Sequence, residues 1–244
     1  TIPTTGNATD FGDSATPRSG ITNNINSPTR GVFAGGYSES GGNRNTIDYV
    51  TIPSAGNSSD FGDLTGAAYT LAGLSSNTRG VMAGPTSGES ASNTIQYITI
   101  ASTGNASDFG DLATTLSYGS GVSDSTTGVF HCPQGNNQNV LEKITIATTG
   151  NASDFGDLTI ARYSTQTGST AHGGIDATAL QAFAPAAIGL FAGGLGDGSP
   201  RYNTVIQYIN IASTGNTVIF GDLSVGRDYL ASGGFASSTR GVFA

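Results

Sequence analysis

One eight-residue phrase is written four times almost unchanged along this chain. It reads GNATDFGD at Gly6–Asp13, GNSSDFGD at Gly56–Asp63, and GNASDFGD at both Gly104–Asp111 and Gly150–Asp157. A weaker fifth copy, GNTVIFGD, spans Gly215–Asp222. The central rings are Phe11, Phe61, Phe109, Phe155 and Phe220, spaced 50, 48, 46 and 65 residues apart. A period of this length means that one supersecondary unit recurs and that neighbouring units complete each other's core.

Each period carries three further segments. The first is RGVFAGG at Arg30–Gly36, RGVMAG at Arg79–Gly84, TGVFHC at Thr127–Cys132, IGLFAGG at Ile188–Gly194 and RGVFA at Arg240–Ala244. The second is NTIDYVTI at Asn45–Ile52, with counterparts at Asn93–Ile100, Asn139–Ile146 and Asn203–Ile211. The third is looser, as in Tyr69–Gly73 and Tyr229–Gly233. Runs rich in Val, Ile, Phe, Tyr and Thr, separated by Gly, Asn, Ser and Pro, read as strands and turns. No stretch sustains a helical period. Four antiparallel strands per period predict an all-β fold, a β-propeller of five blades, with residues 1–244 as one domain. The blades are expected near 30–78, 79–126, 127–187 and 188–239, each opening on its Gly-Val-Phe strand. A fifth is split between 1–29 and 240–244.

The order of segments resembles a kelch repeat. The Gly-Gly pair after the apolar strand is present at Gly35-Gly36, and a Tyr follows at Tyr49, Tyr97 and Tyr208. An aromatic with a Leu three residues on matches Phe61/Leu64, Phe109/Leu112, Phe155/Leu158 and Phe220/Leu223, and a later Arg matches Arg18, Arg162 and Arg227. Kelch repeats usually carry Trp at the aromatic position, and this chain has no Trp. The wording of the repeats is similar to that of virion structural and tail-fibre proteins of marine phages that infect cyanobacteria. That resemblance implies a kelch-like propeller in a phage appendage, located on the virion, contacting other virion proteins and a host-surface glycan or protein. A secreted or cell-surface bacterial lectin or adhesin of the same fold is the alternative.

Composition narrows the function. Nine basic residues against 17 acidic ones give a net charge of −8, and the sole lysine is Lys143. Nucleic-acid binding needs clustered cations, so it is not expected. No apolar run is long enough to span a bilayer as a helix. One Cys (Cys132) and two His (His131, His172) match no zinc or nucleophile spacing, so neither catalysis nor a cofactor is expected. The Asn and Asp of the repeated phrase suit turns, where their side chains accept backbone N–H groups, better than a calcium loop. The Asn-x-Ser/Thr sequons at Asn7, Asn57, Asn105 and Asn151 fall in the same turns.

The loops Tyr37–Arg44, Pro85–Ser92, Pro133–Gln138 and Leu195–Tyr202 differ between copies while the repeated phrase does not. Variation confined to one loop class marks a binding face on a fixed scaffold. Tyr37, Arg44, Arg201 and Tyr202 are its candidate contacts. Arg30, Arg79 and Arg240 precede three equivalent strands. They are read either as an anion-binding set at a channel mouth or as side chains packed along neighbouring blades. A 13-residue insertion within Ser169–Ala187 is the largest departure from the repeat, with an Ala-rich stretch at Asp176–Ala184. The split fifth blade is short by 16 residues. It is expected either to be incomplete or to belong to a longer chain, with Thr1 near Ala244.

Overall fold

The computed structural model describes residues 7, 9–86, 90–133, 138–169, 187–196, 201–226, 235–236 and 241–242. Among them there are strands and turns and no helix. The expectations for Thr1-Ile2, His172, the insertion and Arg240 lie outside the described residues.

The first sheet holds β1 (Thr22–Asn26), β2 (Arg30–Ala34), the two-residue β3 (Tyr37–Ser38), β4 (Gly42–Thr51) and β5 (Ser59–Ala68). The second is β6 (Ala72–Ser75), β7 (Arg79–Ala83), β8 (Ser92–Thr99) and β9 (Ser107–Leu116). The third is β10 (Ser120–Ser123), β11 (Thr127–His131), β12 (Val140–Thr145) and β13 (Ser153–Asp157). The fourth is β14 (Gln166–Ser169), β15 (Ile188–Ala192), β16 (Val205–Asn210) and β17 (Val218–Asp222). A hairpin of β18 (Phe235–Ala236) and β19 (Gly241–Val242) follows. Every pairing is antiparallel and between sequence neighbours apart from the short β3. This four-stranded pattern is compatible with a β-propeller.

The sheets begin one segment earlier than the sequence suggests. The Gly-Val-Phe strand is second in its sheet, and the loose segment supplies the first strand: Ala-Gly-Leu-Ser, Ser-Gly-Val-Ser and Gln-Thr-Gly-Ser. These strands are buried at every position. They therefore show no alternation of apolar and polar residues, the signal by which a half-buried strand is read. At Gly80, Gly128 and Gly189 the glycine after the Arg, Thr or Ile is required by this packing. A Cβ on Gly128 would sit 2.6 Å from Leu74, and one on Gly189 would sit 2.7 Å from Val122.

Hydroxyl groups tie the first strands together. Ser75 Oγ donates to Asn26 O (3.1 Å), Ser123 Oγ to Ser75 O (2.8 Å) and Thr167 Oγ1 to Gly121 O (2.8 Å). Asn24 Nδ2 reaches Thr167 Oγ1 at 3.1 Å, joining the first strand of the first sheet to that of the fourth.

Away from these strands, consecutive sheets stack over three apolar clusters. Phe61 packs with Ile98 and Ile100, Phe109 with Ile144 and Ile146, and Phe155 with Ile209 and Ile211. Each of these Phe rings is only 2% exposed. Polar atoms cross the same junctions. The Glu142 carboxylate accepts Ala113 N and Thr114 N (2.7 and 2.8 Å), and Gln96 and Gln207 accept Thr65 N and Thr159 N.

The repeated phrase joins one sheet to the next. Ile95 pairs with Gly110 and Gln96 with Asp108, so Phe109 is an extra residue, a β-bulge. Phe61, Phe155 and Phe220 are bulged in the same way. The bulge turns the Phe carbonyl outward, where the Gly-Asn of the following copy meets it. Gly104 N donates to Phe61 O (2.7 Å), Asp63 N to Asn105 Oδ1 (3.0 Å) and Ala106 N to Asp63 O (2.8 Å). The same three bonds join Phe11-Gly12-Asp13 to Gly56–Ser58, Phe109–Asp111 to Gly150–Ala152, and Phe155–Asp157 to Gly215–Thr217. The Asn side chains do accept backbone N–H groups, but across a sheet junction rather than within their own turns.

Candidate binding surface

Strands 1 and 2 are antiparallel, so the start of the first strand and the end of the second share one face of the molecule. The described residues at the start of all four variable loops leave the second strands on that face. The turns between the first two strands, and the Gly-Asn turns, lie on the opposite face. The insertion joins Ser169 to Ile188 and therefore meets the described strands on that opposite face.

Tyrosines line the loop face. Tyr37, Tyr69, Tyr118 and Tyr163 form a chain of ring contacts at 6.2, 6.3 and 6.3 Å between centroids. The rings are tilted or edge-on, the favourable geometry for aromatic pairs. Tyr69 and Tyr118 also bring their hydroxyls to 3.4 Å. Tyr37 is 43% exposed, and the other three are half-buried. The arc is positioned by strained connections into the first strands. Thr70, Tyr118 and Ser164 adopt φ of 62°, 57° and 54°, unusual for non-glycine residues. Backbone bonds from Thr70 N to Gly20 O and from Ser164 N to Tyr118 O (3.1 Å each) link successive connections. The result is a rigid band of apolar ring faces with hydroxyl edges.

The other candidates divide. Tyr202 is exposed, and its backbone bridges to Leu195, whose backbone bridges in turn to Tyr163. Arg201 is exposed beside it, and its carbonyl accepts Gly196 N. Arg44 is half-buried, with Nη2 at 3.4 Å from Ser38 Oγ and the guanidinium folded over Gly41. Arg30 and Arg79 lie on the opposite face, in the sheet junctions. Arg30 stacks 4.6 Å from the Tyr49 centroid and donates to Ile100 O (2.8 Å). Arg79 repeats this with Tyr97 (4.4 Å) and Ile146 O (3.0 Å). Both guanidinium groups thus lie over a Tyr of their own sheet and bond a carbonyl of the next. Tyr69, Tyr118 and Tyr163 were not singled out from the sequence. Their sequence signal is a Tyr two or three residues before the first strand of the second, third and fourth sheets, in the loosest segment of the repeat.

Four other ionisable or nucleophilic side chains, besides Asp48, are enclosed. Arg162 is wholly buried and donates to Gly193 O, Val205 O and Phe191 O at 2.9, 2.8 and 3.3 Å. Burial lowers its pKa to about 10, which still leaves it charged at neutral pH. Arg18 bonds Thr46 O and pairs with Asp48 at 2.6 Å; burial pushes its pKa down and that of Asp48 up. His131 is also buried. Its Nε2 donates to Gln138 O and its Nδ1 accepts Thr165 Oγ1, both at 3.1 Å, and burial pushes its pKa down to about 3. The neutral ring is a packing element. Burial also pushes the Cys132 thiol well up, which disfavours the nucleophilic thiolate. Among the described residues no three His, Cys, Asp or Glu side chains gather as a metal site, and no helix is long and apolar enough to cross a membrane.

No protein-family model matches the chain, and no curated protein matches it.

Proposed function

We propose that the chain is a five-bladed, kelch-like β-propeller serving as a non-enzymatic binding module of a phage virion appendage such as a tail fibre. The fifth blade is built from both ends. The β18–β19 hairpin, packed beside β14, supplies its first two strands, and Phe11–Asp13 supplies its outer segment in clasp with Gly56–Ser58. The bond from Asn24 to Thr167 supports closure, because it draws the first and fourth sheets to one axis. Assignment to a virion rests on the wording and near identity of the repeats.

The observation that carries binding is the tyrosine arc on the face of the variable loops. Tyr supplies rigid amphipathic contact area at low entropic cost, with an apolar face for a sugar ring and a hydroxyl for its edge. The ligand on this reading is a host-surface glycan. The test is binding of the wild type and of the Tyr69→Ala/Tyr118→Ala variant to host cells and to polysaccharide extracted from their surface. Binding by the wild type and at least about a tenfold loss in the variant, with an unchanged circular dichroism spectrum, is expected. Equal binding by both proteins, or none by the wild type, removes the reading.

A further inference from the structure

The face opposite the tyrosines has a cavity at one junction that the equivalent junctions fill. Between the first and second sheets, the slot is occupied by Arg30 stacked on Tyr49 and bonded to Ile100 O. Between the second and third it is occupied by Arg79 on Tyr97, bonded to Ile146 O. The register makes Thr127 the counterpart of these arginines and Lys143 the counterpart of these tyrosines. Ile211 is the counterpart of Ile100 and Ile146. Between the third and fourth sheets, a cleft of about 220 Å³ opens there, lined by Thr127, Lys143, Thr145, Asn151, Ser153 and Ile211 among others. Phe155 and Ile144, both buried, contribute apolar wall.

We propose that this cleft binds a single hexuronate, a monosaccharide bearing a carboxylate. With Thr127 and Lys143 at these positions the junction has neither guanidinium nor ring, and the cavity there is lined largely by polar side chains. Lys143, the only lysine of the chain, makes no ion pair among the described residues. Its ammonium is the counter-charge for a carboxylate. Thr127, Thr145, Ser153 and Asn151 offer donors and acceptors for sugar hydroxyls. The Ile211 carbonyl, which no described residue approaches as the arginines approach Ile100 and Ile146, accepts one more. The cleft lies below the roughly 300 Å³ of the smallest drug-sized pockets, which limits it to one sugar ring. Thr145, Asn151, Ser153 and Thr214 are exposed, so the site is open to a residue within a surface polysaccharide.

The site is separate from the tyrosine face and is tested separately, by titration calorimetry of the full chain with D-glucuronate, D-glucose and acetate. Saturable binding of glucuronate is expected, at least about tenfold tighter than that of either competitor, one half of the ligand each. Lys143→Gln should weaken it about tenfold or more. Thr127→Arg/Lys143→Tyr rebuilds the pair found at the other junctions. It should abolish binding while holding or raising the melting temperature. The proposal is overturned if the wild type shows no saturation, if acetate binds as well as glucuronate, or if the rebuilt variant folds and still binds.

Discussion

Phe109 and Phe220 occupy the same position of the same repeated phrase and have opposite surroundings. Phe109 is 2% exposed, bulged between the second and third sheets, with Leu112, Ile144 and Ile146 around it and Tyr97 edge-on at 6.0 Å. Phe220 is 66% exposed and, among the described residues, keeps the equivalent ring contact with Tyr208, at 6.3 Å. Truncation of a buried Phe removes its transfer free energy and leaves a cavity that rigid β-sheets close poorly. Phe109→Ala should therefore cost about 3–5 kcal/mol. For a chain of this size that is a fall of roughly 6–20 °C in melting temperature. Phe220→Ala removes surface that is already largely in water, and its cost should stay below about 1 kcal/mol. Urea unfolding followed by circular dichroism measures both variants against the wild type. The slope of each transition must be compared as well, because a repeat array can unfold in more than one step. Phe61→Ala and Phe155→Ala, equally buried, should resemble Phe109→Ala. Equal costs for Phe109 and Phe220 would refute the reasoning. They would mean that the position contributes through the bulge itself and not through burial between sheets.

Other variants probe the junctions. Gly110→Ala places a Cβ 2.5 Å from Gly150 O at a φ of +145°, and should cost about 2–4 kcal/mol by thermal melting. Gly56→Ala meets nothing within 4 Å and should change stability by less than about 1 kcal/mol. Asn151→Ala deletes the acceptor of Asp111 N at an exposed edge, and should cost about 0.5–1.5 kcal/mol in urea titration. His131 has a folded pKa of about 3, below the usual 6.5, so the unfolded chain takes up the proton first. This group leaves stability unchanged above about pH 6.5 and lowers it as pH falls toward 3, by up to about 1.4 kcal/mol per pH unit. Melting curves of His131→Gln should lack that part of the acid slope.

Much of the architecture was legible because three segments per period carry plain strand composition. The buried Phe and Leu of the phrase, as in Phe61 with Leu64, follow from their spacing. The first strand of each sheet was not legible in its proper sheet. Four residues buried at every position give no periodicity, so the plain strand composition of the Gly-Val-Phe segment sets the apparent edge of the unit. The bulge was equally hidden. An extra residue shows only in the pairing register, and the phrase reads as a turn until its partner across the junction is known. The tyrosine arc escaped because its members come from unequal positions in the connections, and only the fold brings their rings within 6.3 Å of one another.

The equivalence of copies is itself a physical instrument in a molecule of this kind. Where a position repeats faithfully, the geometry states why. Asn57, Asn105, Asn151 and Asn216 each accept one N–H of the preceding copy of the phrase, and truncating any of them hands that group to water and removes a bond across the junction. Where a position departs from the repeat, the other copies show what is missing. Thr127 breaks the row of Arg30 and Arg79, and Lys143 breaks the row of Tyr49 and Tyr97. Taken separately, each is an ordinary surface substitution. The two lie on neighbouring strands of one sheet and border the same junction, because an Arg in that slot reaches over the third strand of its own sheet to a carbonyl of the next. Losing both members of the pair is what leaves a cleft with a cation in it, since loss of the Arg alone would leave an aromatic lid. A repeat protein need not remodel its scaffold to acquire a site; omitting a filler from one of several equivalent slots is sufficient.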